Sequence, residues 1–238
     1  MTFRQGFTFV HRQSWAFLVA CPLIVLIPVA AEFVQHYVEM QAGMYAGPEG
    51  AQAAEHDPAR MAFGFVKTLA LSLVGYWAMR FYASGGDRAA ALRIDSRAVS
   101  LFAIVFALQA LLSALGLFAF EGVVAVGFFV FGLIFTPLLS RFVAAAPLGA
   151  WISPFSSIRQ MAPQLPWAVV FNIVAVLPLM IVHYALGAGA IFVPGEAAKW
   201  AMLVVDSLIV GWLSALLAAI TWVIAARKDP PPELALRA

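Results

Sequence analysis

The chain has 238 residues, 63% of them hydrophobic and only 11% charged, whereas an ordinary soluble domain carries roughly 25% charged residues; a soluble fold of this size would lack the polar surface to cover itself. The net charge of +2 is carried by scattered residues, which excludes the basic stripe of a nucleic-acid-binding face. The single cysteine, Cys21, excludes an internal disulfide framework and a multi-cysteine metal site.

The apolar residues fall in runs of about twenty, each long enough to cross a hydrocarbon core of about 30 Å as a helix. The pattern predicts an all-α, polytopic transmembrane helical bundle, a single domain over 1–238, with six spans near 14–34, 61–82, 99–119, 122–146, 166–189 and 200–226. "LVACP" (18–22) has the look of a lipoprotein cleavage box, but only six apolar residues precede Cys21, short of the roughly seven to fifteen of a signal-peptide core. The first span is therefore expected to stay in the protein.

Between the first two spans lies the longest connection, 35–60, rich in Gly, Ala and Pro and expected to be a loose outer loop. At its start, in "EFVQHYVEM", Glu32, His36 and Glu39 fall at i, i+4 and i+7, on one face of a helix that continues beyond the membrane. The spacing matches no established metal motif, so no metal is expected, but these three are the residues that could offer oxygen and imidazole ligands.

The second span places Lys67 inside the apolar run "FGFVKTLALSLVGYW". An ionisable group at the centre of a span costs roughly 2.5–3.5 kcal/mol on insertion scales, so it needs a partner or a route to water. His183 and Asp206 are the other two such groups placed well inside a predicted span. Lys67 and Asp206 each lie six residues inside the predicted outer end of their spans, about 9 Å deep at 1.5 Å per residue, and His183 is near the same level. An intramembrane polar cluster is therefore predicted, with Asp206 as the counter-charge of Lys67. It reads either as a buried pair that fixes helix register or as a small anion or proton site.

The second connection, 83–98, has Gly85 and Gly86 as breakers, Asp87 as a helix N-cap, and Arg88, Arg93 and Arg97 on a short amphipathic stub. That composition suits an anchor on an anionic lipid surface. Pro28, Pro137 and Pro178 predict kinks within spans, and Gly211 with Ala215 predicts close helix approach.

Arginine and lysine counts set the orientation. The N-terminus, the second and fourth connections and the C-terminal tail hold eleven, namely Arg4, Arg12, Arg80, Arg88, Arg93, Arg97, Arg141, Arg159, Arg227, Lys228 and Arg237, while the other connections hold Arg60 and Lys199. By the positive-inside rule both termini are cytoplasmic. Tryptophan belongs at headgroup level, and Trp212, in mid-span, must pack elsewhere.

The six-span layout, the long outer first loop and "PLGAWISPFSSIRQMAPQLPWAVVFNI" (147–173) resemble the YciC-like proteins of the bacterial inner membrane and the membrane domains beside glycerophosphodiester phosphodiesterases. The resemblance implies a multi-pass inner-membrane protein and supplies no catalytic residues.

No Gly-rich nucleotide loop, Gly-x-Ser-x-Gly elbow or His-Glu-x-x-His occurs, so neither catalysis nor a cofactor is expected. The reading is a non-catalytic accessory, scaffold or envelope-maintenance component whose partners are membrane lipids and other integral membrane proteins or a second copy of itself. Two alternatives stand beside it. One is a small transporter or permease component using Lys67, His183 and Asp206; the other is a lipid-headgroup enzyme built from Glu32, His36 and Glu39.

Overall fold

The structure, a computed structural model, describes residues 1–228 and Leu234; Arg237 of the charge count lies outside them. The described residues form α1 (Phe3–Ala20), α2 (Pro22–Gln41), α3 (Pro48–Ala53), α4 (Pro58–Ala83), α5 (Arg88–Leu92), α6 (Ser96–Phe118), α7 (Gly122–Leu138), α8 (Ser140–Ala145), α9 (Pro154–Met161), α10 (Leu165–Phe192) and α11 (Glu196–Ala226), with no strand among them. Five helical segments are long and apolar enough to cross a membrane, and a sixth arises if α7 and the bent segment after it count as one span. The protein is thus an all-α bundle of membrane-spanning character.

The first span is displaced from its expected place. Instead of one helix over 14–34, the chain breaks at Cys21 and the spanning helix is α2. Pro22 has no N–H to donate back into α1 and disfavours helical geometry in the residue before it; Cys21 accordingly sits at φ −127°, ψ 51°. Helix α1 is amphipathic, burying Gly6, Val10, Ser14 and Phe17 along one stripe while Arg4 and Arg12 face out. It lies across three helices. Gly6 abuts Phe171 and Val223, Ser14 accepts a 3.0 Å hydrogen bond from Trp212 Nε1, and Phe17 stacks edge-on with Phe81 and Tyr82. This is where mid-span Trp212 finds its partner.

The other helices follow the sequence more closely. Asp57, Asp87 and Asp95 cap α4, α5 and α6, each accepting from a backbone N–H of the first turn, the usual role of an N-cap carboxylate. Pro28 and Pro178 sit inside continuous helices. After Pro137 the chain turns by 57° between Gly122–Leu138 and Ser140–Leu148. Ser157 Oγ donates to Leu138 O at 2.7 Å, so a neighbouring element satisfies a carbonyl at the bend, as a low-dielectric interior requires.

Helix α11 is the axis of the bundle. It packs against α10, α2, α1 and α4, and 67% of its most apolar stretch is buried, against 11–33% for the other spanning segments. Close approach to α2 depends on Gly211, where an added Cβ would lie 2.5 Å from Val29 Cγ2 and 3.0 Å from Val25 Cγ1. At the arginine-rich end, two counted arginines turn out to be buried clamps on backbone carbonyls. Arg80 donates to Ala90 O and Pro147 O, and Arg141 donates to Ala225 O and Lys228 O at the C-terminus of α11. A cation there also meets the negative end of the helix dipole.

Gly211→Leu is expected to lower stability by about 1–3 kcal/mol through overpacking. Gly127→Leu in α7, where nothing lies within 4 Å of the added Cβ, is the matched control. Thermal unfolding in detergent, followed by helical circular dichroism, reads both; equal midpoints for the two variants would refute the close α2–α11 contact.

Candidate functional site

The stripe that α2 turns inward changes character along its length. Val25 and Pro28 are followed by Glu32, Gln35, His36 and Glu39, all buried, while Phe33, Val34 and Tyr37 on the other side are exposed. A helix with polar groups inward and apolar groups outward suits a lipid surrounding. Glu32 is 1% exposed, His36 3%, Glu39 4% and Asp206 of α11 0%, so this is a charged cluster withdrawn from solvent.

His36 is its hub. Its Nε2 lies 3.1 Å from Asp206 Oδ2 and 3.3 Å from Glu32 Oε1. Its Nδ1 lies 3.1 Å from Glu39 Oε2 and 2.9 Å from Tyr45 Oη. Tyr45 donates to Glu39 Oε2 at 2.6 Å, and Gln35 donates to Glu39 Oε1 at 2.9 Å. Arg60 Nε pairs with Glu39 Oε1 at 3.3 Å, and Lys67 Nζ with Glu32 Oε2 at 3.1 Å. On the far side His183 Nδ1 meets Asp206 Oδ1 at 2.8 Å.

The predicted cluster of Lys67, His183 and Asp206 is thus brought together, but its pairing is different. Lys67 pairs with Glu32 rather than Asp206, and Asp206 is met by His183 and His36. Lys67 is nine residues into α4 and Asp206 ten into α11, counting from Pro58 and Glu196, so the two lie at similar positions along their helices. The missing element was α2, whose Glu32 stands between them. The metal-capable set also differs from the expected one, because ligand atoms of Glu32, His36 and Asp206, not Glu39, lie within 4.8 Å of one another.

Tyr45 and Arg60 were not foreseen. Tyr45 reaches His36 because α2 ends in a Schellman turn: Gly43 adopts φ 78°, Met44 N donates to Glu39 O and Gly43 N to Met40 O. Only a residue tolerant of positive φ suits that C′ position. The Gly in "EMQAGMY" was the legible signal for the turn, though not for where it aims the tyrosine. Lys199 donates to the carbonyl of Tyr45, tying α11 to the same turn. Burial, and then the adjacent Glu39 carboxylate, hold the Tyr45 phenol above its usual pKa, so it remains a hydrogen-bond donor.

A second feature lies apart from this network. A cavity of about 600 Å³ runs between α4, α6, α7, α10 and α11. Its wall on α6 extends from Phe102 to Leu117, about 22 Å at the helical rise of 1.5 Å per residue. Gly75, Gly116 and Gly132 make room along it, and Gln109 and Asn172 line it with no hydrogen-bond partner among the described residues. At the arginine-rich end Arg88, Arg93 and Arg97 are exposed, beside exposed Leu92 and Ile94. The stub is a five-residue helix followed by an extended turn, not one continuous helix.

Removing one member of a buried charge cluster leaves its partners uncompensated, so Asp206→Ala is expected to cost about 3–5 kcal/mol. Lys67→Met and Glu32→Gln should be strongly non-additive, with a coupling of about 0.5–3 kcal/mol, because they share one contact. Unfolding of the two single variants and the double variant measures this, and simple additivity would remove the Lys67–Glu32 pair.

No family model, no curated protein and no solved structure matches the chain, so the functional reading rests on this geometry.

Proposed function

We propose that the protein is a non-catalytic, lipid-binding accessory component of a bacterial inner membrane, with both termini cytoplasmic, holding an amphiphile in the cavity between α4, α6, α7, α10 and α11. The bacterial inner membrane is what the YciC-like resemblance implies, and the orientation follows from the arginine count. The cavity carries the reading. Its volume falls within the range of ligand sites between helices of a bundle, roughly 300–1,000 Å³, mostly apolar with a few placed polar groups. Its length, about 22 Å along α6, favours an extended chain over a compact solute.

The two unpartnered amides support an amphiphile in particular. An amide without a hydrogen bond costs several kcal/mol in a hydrocarbon setting; Gln109 and Asn172 are half-buried, and the ester and headgroup oxygens of a lipid supply acceptors for them. Apolar transfer contributes little here, because lipid tails are as apolar as the cavity wall. Selective retention must therefore come from shape and from those amides. The exposed Arg88, Arg93 and Arg97 beside Leu92 and Ile94 support docking at an anionic lipid surface. The transporter alternative draws less support, because Glu32, His36 and Asp206 are buried and none of them lines the cavity.

Gly132 is the position for a test, since no atom lies within 4 Å of an added Cβ there and its helix faces the cavity. Gly132→Leu is expected to reduce co-purified phospholipid several-fold in native mass spectrometry while leaving the melting temperature unchanged. Gln109→Leu combined with Asn172→Leu should act in the same direction. Wild-type protein that carries no lipid after reconstitution and mild extraction would overturn the proposal.

A further inference from the structure

We infer that Glu32, His36 and Asp206 form a binding site for one divalent transition-metal ion, of the zinc class, joining α2 to α11. The inference is independent of the lipid-binding reading and uses different residues.

Spacing is the first argument. A tetrahedral ion with bonds of about 2.0–2.1 Å holds its donor atoms about 3.3 Å apart. His36 Nε2 lies 3.3 Å from Glu32 Oε1 and 3.1 Å from Asp206 Oδ2, and all three donors lie within 4.8 Å of one another. One imidazole with two carboxylates is a donor set suited to a borderline ion such as Zn²⁺. His183 Nδ1, 2.8 Å from Asp206 Oδ1, holds the oxygen of Asp206 that does not face His36.

The supporting shell is the second argument, and it separates this cluster from a chance gathering of acids. A metal-bound histidine typically presents its other ring nitrogen to a carboxylate, which fixes the ring and its tautomer. Here His36 Nδ1 faces Glu39 Oε2 at 3.1 Å. Glu39 is itself fixed by Tyr45, Gln35 and Arg60, and Lys67 Nζ sits against both oxygens of Glu32, 3.1 Å from Oε2 and 3.3 Å from Oε1. His36 and Asp206 each have a partner that orients them while leaving Nε2 and Oδ2 directed at the shared point, and Glu32 Oε1 faces the same Nε2 while also meeting Lys67.

Proton inventory is the third. A neutral imidazole donates from one nitrogen only, yet both nitrogens of His36 face carboxylate oxygens. With the Nδ1 proton directed to Glu39, Nε2 facing two acids needs either a second proton or a metal ion. Glu32 Oε2 is buried without a hydrogen bond, although its charge is paired with Lys67.

The test uses the full chain purified in mild detergent, stripped with a chelator, reloaded with Zn²⁺ or Co²⁺ and freed of excess. Elemental mass spectrometry should find one ion per chain, and Co²⁺ should give the visible absorption of a tetrahedral site. Asp206→Asn and Glu32→Gln, which keep the side-chain shape, should abolish stoichiometric binding. Glu39→Gln, which leaves all three proposed ligands in place and alters the support of His36, should weaken it by roughly 10–100-fold. Should the ligand variants fail to fold, X-ray absorption at the zinc edge of wild-type protein decides the case. The expected first shell is nitrogen and oxygen with an imidazole outer shell. Folded wild-type protein that takes up far less than one equivalent, or Co²⁺ binding untouched by Asp206→Asn, would overturn the inference.

Discussion

A carboxylate with no exposed surface, set ten residues inside the central helix of a membrane-type bundle, must be met by positive charge from its neighbours. Asp206 therefore constrains which helices surround α11. His36 on α2 and His183 on α10 reach its two oxygens, and the acids that accompany His36 bring in Lys67 and Arg60 from α4. A buried ionic cluster of this kind is weak evidence for high stability, because desolvation offsets much of the Coulomb attraction. It is better evidence for specificity: a rotation of α2, α4 or α10 about its axis would leave a charge unpaired in a low-dielectric interior.

The two halves of the bundle are held by different physics. Around the polar network, α2, α4 and α11 are fixed by directional contacts and by the glycine at 211 that lets α2 come close. Between α6 and α7 there is little of either. Both helices are apolar almost throughout, α6 is only 11% buried over its most apolar stretch, and the cavity runs along both. Apolar side chains gain little by leaving lipid for protein. Helices without polar contacts or close-fitting small-residue seams therefore remain loosely packed. The cavity is what such packing leaves behind, and Gln109 and Asn172 are its two amides.

Much of this was legible in the sequence, for reasons that also explain what was not. Helix type and most span boundaries follow from run length and apolarity, which are local. The shared depth of Lys67 and Asp206 follows from counting residues along a rigid helix. Their pairing does not, because a one-dimensional count cannot say that α2 packs against both α4 and α11 and brings Glu32 and His36 to the same level as the missing partners. The break at Cys21 was readable in Pro22, which lacks an N–H, but the uninterrupted apolarity through Ala31 masked it. The buried roles of Arg80 and Arg141 were hidden because a charge count weighs arginine by sign alone, not by the carbonyls within its reach.

Helix α4 connects the two features. Lys67 pairs with Glu32, and the next residue, Thr68, lines the cavity. Successive residues on a helix with 3.6 residues per turn project about 100° apart, so α4 shows one face to the charges and the adjoining face to the slot. Rolling α4 to widen the slot would draw Lys67 away from Glu32 and Arg60 away from Glu39. Those contacts are directional and join a half-buried cation to a buried acid, whereas the contacts of α6 and α7 across the slot are largely apolar. Accommodation of an occupant must therefore come from α6 and α7, the half of the bundle with little to lose by moving.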